Sequence, residues 1–350
     1  MKLLKKLSYP GSGWALGFRA ENKWIKAFNG FIKFNGTKVK SDTLFDLASL
    51  TKVVGTLPAC FVLMKEGSLK LDKTINYYIS NAGWFKNPSL GDVKIHNLLT
   101  HTSGLPAWKP LFAISNEPTV LHANVLQTEI SNQRKRLYSD IGWIILGHIV
   151  ERITNTPLDQ FISENLLNPL GMKRTFFNPI SQNEKLNCVV TEDCGWRKKL
   201  LQGIVHDENA FAFGGVAGHA GLFSNLDDMM IYMESWLNNL ETIGLQNQAI
   251  KVNHNFQSFD GLPAYGLGWR TFPSLEFSGV GNIEGSLGHT GYTGTSLWMN
   301  IDNQQSVILL NNRVYPSRLD TCNSINEFRK KIHQLCFDQK PPNRKLNKLI

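Results

Sequence analysis

The chain has 350 residues, 42% of them hydrophobic and 19% charged, with a formal net charge of +9. That length buries a sizeable core, and that balance excludes an intrinsically disordered chain. The positive excess sits partly at the ends, in Lys2, Lys5, Lys6, Arg344, Lys345 and Lys348; no recognition-helix, zinc-finger or RNA-binding pattern accompanies it, so no nucleic-acid partner is expected.

The opening "MKLLKKLSYPGSGW" is basic but lacks the apolar run of a signal peptide. No stretch approaches eighteen uninterrupted apolar residues, so no transmembrane segment is expected. As it stands the sequence implies a cytoplasmic protein; a periplasmic protein whose export signal had been removed would read the same. "GWALGFRA" and "KWIKAFNGF" follow as the two arms of a hairpin. After Ser49, the residues Val53, Val54, Leu57, Phe61 and Met64 recur at helical spacing, with Gly67 as a stop. Pro58 falls inside that pattern and predicts a kink or a loosened turn. "DIGWIILGHIVERIT" is a second helix, with Ile141, Ile144, Ile145, Ile149 and Ile153 on one side. "PLDQFISENLLNPLGM" is a third, ending at Gly171. From Cys188 to Phe223 the chain is rich in glycine and reads as irregular loops. "GTSLWMNI" and "QSVILLNN" are two further strands joined by "DNQ", and Ile325, Phe328, Ile332 and Leu335 mark a last helix.

Strands at both ends and helices between them predict an α+β fold, an α/β sandwich. Its antiparallel sheet is built from both chain ends with flanking helices, and a mainly helical region is inserted. The expected division is 1-55 with 255-350 for the sheet, and 56-254 for the helical insert with its active-site loops. The five cysteines, Cys60, Cys188, Cys194, Cys322 and Cys336, are odd in number and contain no CxxC pair. They predict reduced thiols rather than a disulfide framework or a zinc site, with Cys60 in the core.

Chemistry enters at "FDLASLTK". Ser49 and Lys52 are three apart, which on a helix places them on one face. A serine hydroxyl is a weak nucleophile until a base takes its proton, and an adjacent amine helps to remove it. The helix start adds unpaired backbone N–H groups that favour developing negative charge. Alone the spacing is common, and an N-cap serine before a surface lysine would look identical. Two further pieces accompany it: Tyr138 and Asp140 in "RLYSDIGW", and His289, Thr290 and Gly291 in "GHTGYTGTSLW".

This ordered set, S-x-x-K, then Y-x-D, then H-T-G, resembles the serine β-lactamase and penicillin-binding-protein superfamily. The likeness is to its class C and D-alanyl-D-alanine-carboxypeptidase or esterase branch. "HNLLTHTSGLP", "FISENLLNPLGM", "GGVAGHAGLFS" and "YGLGW" agree with it, and the resemblance spans roughly residues 10–335. It implies a β-lactamase/transpeptidase-like fold and no cofactor or metal. Carried onto this chain, it implies that Ser49 is acylated, that Lys52 eases loss of its proton and that Tyr138 is the general base. Asp140, His289, Thr290, Gly291 and Tyr292 are then substrate-binding residues, and the backbone N–H groups of Ser49 and Tyr292 form the oxyanion hole. The expected partner is a small molecule or peptide with an ester, amide or β-lactam carbonyl.

Two departures bear on the substrate. Class C enzymes have asparagine where this chain has Asp140; an ionised carboxylate can pair with Lys52 but cannot donate to a substrate amide. They have lysine where it has His289, whose imidazole at its ordinary pKa is only about a quarter protonated at pH 7. Both favour an esterase or D-amino-acid peptidase over an efficient β-lactamase. The alternative is a non-catalytic relative that binds peptidoglycan fragments or a partner protein.

Other residues have plainer readings. His101 and Ser103 shape a tight loop. His206, Asp207, Glu208 and His219 could ligate a metal, but their spacing matches no standard zinc pattern, so they read as loop architecture beside the cleft. His148, in an apolar helix, reads as a satisfied core or boundary histidine. Neither a G-x-S-x-G elbow nor a nucleotide-binding fingerprint is present.

Overall fold

The computed structural model describes residues 9–20, 22–79, 88–131, 136–245, 265–271, 285–319 and 322–337. Strand β1 (Gly13–Ala20) is apolar at nearly every position because both its faces are covered. It pairs antiparallel with β2 (Lys23–Gly30) on one side and with the C-terminal strand Gln305–Asn311 on the other. The order of the main sheet is β2, β1, Gln305–Asn311, Ser296–Asn300, Ser286–Thr290, Arg270–Thr271. All its neighbours are antiparallel. Strands from both ends of the chain thus pair inside one sheet, as the strand pattern predicts.

The two-residue period of the strands assigns the two faces. Trp14, Leu16, Phe18, Val307 and Leu309 point to one face, where Ile325, Phe328 and Ile332 of helix Cys322–Phe337 cover them. Ala15, Ile308 and Leu310 point to the other and join the larger core, which includes Leu226, Met229 and Met233 of helix Leu226–Leu237. Gly17 faces the same way; a Cβ there would sit 3.0 Å from a Leu226 methyl, so that helix packs directly on strand backbone. The result is a helix–sheet–helix sandwich.

Between the terminal strands the chain is mainly helical. Helix Asp140–Thr154 starts at Ser139, whose hydroxyl accepts the Gly142 N–H, and stops at Asn155 in the left-handed conformation. Ile141, Ile144, Ile145 and Ile149 are buried along one face. The loosened turn expected near Pro58 is a π turn over Lys52–Thr56, closed by the Leu57 N–H on the Lys52 carbonyl, before the helix Leu57–Lys65. Proline has no N–H and its ring would meet the carbonyl four residues back, so the preceding turn widens. The same device precedes Pro169: the segment expected as one helix is Leu158–Ile162, a π turn Ser163–Leu167, and Asn168–Leu170, ending at Gly171 with φ +76°.

One expectation is corrected. The stretch Cys188–Phe223 is not simply irregular. It contains a hairpin of Val190–Cys194 with Lys199–Gln202 and the short helix Glu208–Ala212, and it leads into strand Leu222–Ser224. That last strand lies between Phe45–Asp46 and Phe176–Phe177 in a small second sheet. Its glycines interrupt the apolar periodicity by which strands are read. The proposed division of the chain has its boundary at 254/255 outside the described residues. No helix among the described residues is long and apolar enough to cross a membrane.

Candidate active site

The candidate nucleophile sits where a strand turns into a helix. After Phe45–Asp46, Ala48 adopts φ +47°, a left-handed conformation that costs a β-carbon residue about 1–3 kcal/mol. Asp46 holds the turn: one carboxylate oxygen accepts the Ala48 N–H at 2.8 Å, the other the His206 N–H at 2.7 Å. Two threonines of the facing segment clamp it from outside. Thr293 donates to the Asp46 carbonyl at 2.7 Å and Thr295 to the Leu47 carbonyl at 3.1 Å. Gly291 permits this approach, because a Cβ there would fall 2.5 Å from the Leu47 carbonyl oxygen. Ser49 emerges half-buried at the head of the helix.

Lys52 is wholly buried. Its ammonium donates to Ser49 Oγ at 3.0 Å and to the His219 carbonyl at 3.0 Å, and pairs with Asp140 at 2.7 Å. Burial opposes its charge, but Asp140 and Tyr138 outweigh burial and hold its pKa above the ordinary lysine value. The pairing with Asp140 that the residue types allow is therefore formed. The resting lysine is a cation, not a free amine.

Tyr138 lies against the same ammonium, whose nitrogen is 5.0 Å from the ring centre, and its hydroxyl interacts with Lys52 and Ser49. Burial raises the phenol pKa; Lys52 and the hydrogen bonds of Lys52 and Ser49 oppose this, while Asp140 adds to it. His101 supports the ring from behind, stacked at 4.5 Å and 29°. Its carbonyl accepts the Leu137 N–H at 2.9 Å and its Nδ1 accepts the Ser139 N–H at 3.0 Å, so it holds the backbone on both sides of Tyr138. Burial first, and then Lys52, Arg270 and Arg136, keep this imidazole neutral. The loop-shaping role read for His101 thus extends to Tyr138, which sequence spacing hides because the two are 37 positions apart. Ser103 turns back on its own loop, accepting the Leu105 N–H at 3.3 Å.

Two lobes of one cleft meet at Ser49, Tyr138 and Tyr292. The lobe beside His289, Thr290 and Gly291 has a volume of about 240 Å³ and is lined by Arg270, Arg313 and Arg329, with no carboxylate among its described lining residues. The other, about 370 Å³, is lined by Trp108, Asp140, Asp207, Glu208 and Arg318 among others. Tyr292 projects at the rim with the Arg313 guanidinium 4.4 Å over its ring. Among the described residues neither the Ser49 N–H nor the Tyr292 N–H has an acceptor.

His289 departs from expectation. It is buried, and its Nδ1 lies 3.0 Å from the Thr290 carbonyl. Burial, then Lys52, Arg270 and His101, hold its pKa well below the ordinary histidine range. The ring is therefore neutral through the range where it was expected to titrate, and the cations of this lobe are its arginines. His206, Asp207 and Glu208 are brought to the wall of the other lobe, and His219 is buried behind them. His219 bonds Asp207 at 2.8 Å, His206 lies 3.3 Å from Glu192, and Arg318 bridges Glu192 and Glu208 at 2.7 Å each.

Residues 11–326 match the protein family described as Beta-lactamase. The chain belongs to the β-lactamase family. A relative from Escherichia coli K12, provisionally named a D-alanyl-D-alanine carboxypeptidase, is 30% identical over 87% of this chain and 78% of its own length. The N-acetylmuramyl-L-alanine amidase of Bacillus subtilis 168 is 33% identical over 83% of this chain and 73% of its own. A class C β-lactamase superposes with a TM-score of 0.73 at 22% identity, covering 98% of this chain and 94% of the other. An octameric penicillin-binding-protein homologue from Pyrococcus abyssi gives 0.71 at 20%, over 95% and 74%. The last two share the fold.

Proposed function

We propose that this β-lactamase-family protein is a serine acyl hydrolase that works through an acyl-enzyme on Ser49, with ester or D-amino-acid amide substrates preferred over β-lactams. The observation that carries the reading is the buried Lys52 ammonium, held at once by Ser49, Asp140 and the His219 carbonyl. A lysine fixed as a cation cannot accept the Ser49 proton. It can stabilise a phenolate, so Tyr138 is the base. Tyr138 first gives up its own phenolic proton to solvent, a loss that burial opposes and the Lys52 ammonium favours. Ser49 Oγ then attacks the substrate carbonyl as its proton passes to the Tyr138 phenolate, and the Ser49 and Tyr292 N–H groups receive the oxyanion. The leaving group departs with the proton from Tyr138. Water then attacks the ester with Tyr138 again as base, releasing the acid. The three-arginine lobe suits the carboxylate of a peptide-like substrate. The names of the two relatives both describe amide cleavage at alanine, which fits that choice.

The decisive experiment is a substrate panel with mass detection of the acyl-enzyme. Activated short-chain esters and D-alanyl peptides are expected to turn over, and nitrocefin slowly or not at all. Asp140 is spent on Lys52 and offers no N–H to a β-lactam side chain. Nitrocefin kcat/KM near the upper range of ordinary enzymes, about 10⁷ M⁻¹s⁻¹, would overturn this preference. No adduct and no turnover with any probe would leave a binding relative of penicillin-binding proteins.

Tyr138→Phe removes one hydroxyl and keeps the ring on His101. Acylation is expected to slow by about a hundred-fold or more, the usual scale of general acid–base catalysis. Undiminished acylation would remove Tyr138 from the mechanism.

Substrate charge is expected to be read by arginine rather than by His289. For two esters with the same acyl group, one bearing a distal carboxylate, the ratio of kcat/KM values should stay level from pH 8 to 6. A His289 that protonated in this window would raise the ratio. Arg270→Gln should lower it several-fold at both pH values; an unchanged ratio would show that this lobe does not hold the carboxylate.

A further inference from the structure

His148 and Glu151 are one turn apart on helix Asp140–Thr154, so their side chains leave the same face. Helix Pro118–Leu126 brings His122 opposite them. The two imidazoles lie 3.9 Å apart with their planes at 22°. Glu151 commits Oε1 to the Leu158 N–H at 3.0 Å, and Oε2 lies 3.9 Å from His148 Nδ1. That separation is too long for a hydrogen bond. The buried Nδ1 has no hydrogen-bond partner among the described residues. The satisfied histidine read from the apolar helix is therefore not what the fold provides.

One donor atom from each of the three residues lies within 4.8 Å of the other two. We propose that His122, His148 and Glu151 form a binding site for a divalent transition-metal ion of the zinc type. With metal–nitrogen bonds of 2.0–2.1 Å and metal–oxygen bonds of 2.0–2.2 Å, tetrahedral ligand atoms stand about 3.4 Å apart. Closing the 3.9 Å between Glu151 Oε2 and His148 Nδ1 onto an ion needs a shift of roughly half an ångström. The His122 donor, within 4.8 Å of both, needs a shift of up to about 1.4 Å, with one of the stacked rings turning so that both in-plane lone pairs meet at the ion. Two imidazoles and a carboxylate suit zinc over calcium or magnesium, which take oxygen ligands. The Leu158 N–H on Oε1 orients the carboxylate as an outer partner would. Three protein ligands leave a position for water, and Asp159 lines the same cavity of about 230 Å³.

This cavity shares no lining residue with the two lobes at Ser49. Ala217 and Gly218 form part of its wall, and the next carbonyl, that of His219, holds Lys52. A Cβ on Gly218 would fall 2.1 Å from the Trp143 carbonyl oxygen, so this loop is seated on the helix that carries His148 and Glu151. The site is thus built on the elements that position the cleft while standing outside it.

The test uses the untagged full chain stripped with a chelator. Calorimetric titration with Zn²⁺ is expected to give one saturable equivalent, and Co²⁺ a visible ligand-field band together with paramagnetically shifted imidazole resonances. His122→Gln and His148→Gln should each abolish that equivalent and Glu151→Gln should weaken it, with circular dichroism confirming that each variant is folded. Absence of saturable binding, or one equivalent undiminished in both histidine variants, would overturn the proposal. Should the variants fail to fold, Co²⁺ bound to the native chain without shifted imidazole resonances would overturn it as well.

Discussion

Ser49→Ala is expected to lower turnover by several orders of magnitude, toward the roughly million-fold loss known when a serine nucleophile is removed from its catalytic unit. The loss should be this large because the other groups are arranged around that one oxygen. Lys52 donates to it, Tyr138 touches it, and the strained turn at Ala48 exposes it beside two N–H groups that have no acceptor among the described residues. None of them can attack a carbonyl in its place. Intact-mass spectrometry gives the complementary readout: a serine-reactive probe should add one equivalent to the native chain, mapped to Ser49, and none to the variant. An adduct on Ser103 or Ser139 with Ser49 untouched would end the assignment. Both of those hydroxyls are engaged, Ser103 with the Leu105 N–H of its own loop and Ser139 with the Pro106 carbonyl of the facing loop.

Lys52→Met should damage activity and stability together. The methionine fills the buried volume but leaves Asp140, whose side chain is 19% exposed, without its partner. Breaking a buried ion pair from one side costs about 3–5 kcal/mol, because a charge is left uncompensated. The fall in denaturation midpoint is therefore expected to exceed that of Ser49→Ala. In the double variant Lys52→Met/Asp140→Leu no charge is stranded, and much of the stability should return while activity stays lost. Stability that fails to recover would mean that the ammonium matters to the fold through its bond to the His219 carbonyl rather than through the pair. Activity surviving in Lys52→Met would remove the cation from the mechanism.

The parts of the site that were legible in the sequence are those fixed by local geometry. Ser49 and Lys52 meet because three residues of helix bring them together, and helix Asp140–Thr154 is announced by its isoleucine spacing. The terminal strands declare themselves as short apolar and aromatic runs set off by turns, and Pro58 announces its widened turn. What stayed hidden depends on contacts across long separations. His101 stacks on Tyr138, His122 on His148, and Asp46 reaches the His206 N–H, none of which leaves a periodic trace. The electrostatics were hidden for a related reason. An imidazole's ordinary pKa says nothing of burial beside Lys52 and Arg270, so His289 could be placed in the cleft from its motif but not given its charge.

The pairing of Trp14 with Asn311 has a consequence for how the chain is made. Strand β1 is an inner strand of the main sheet, yet one of its edges is completed by the last of the described strands to be synthesised. Contacts of such high sequence separation slow folding, since the loop must close before the pairing rewards it. On the ribosome the β1–β2 hairpin therefore waits with an unpaired edge while the helical region forms, and that edge is open to other chains. The cleft waits too, because Thr293 and Thr295, which clamp the Ser49 turn, arrive with the same late segment. Reactivity toward an acylating probe is thus a property of the finished chain, and a nascent chain halted before residue 286 should carry Ser49 without it.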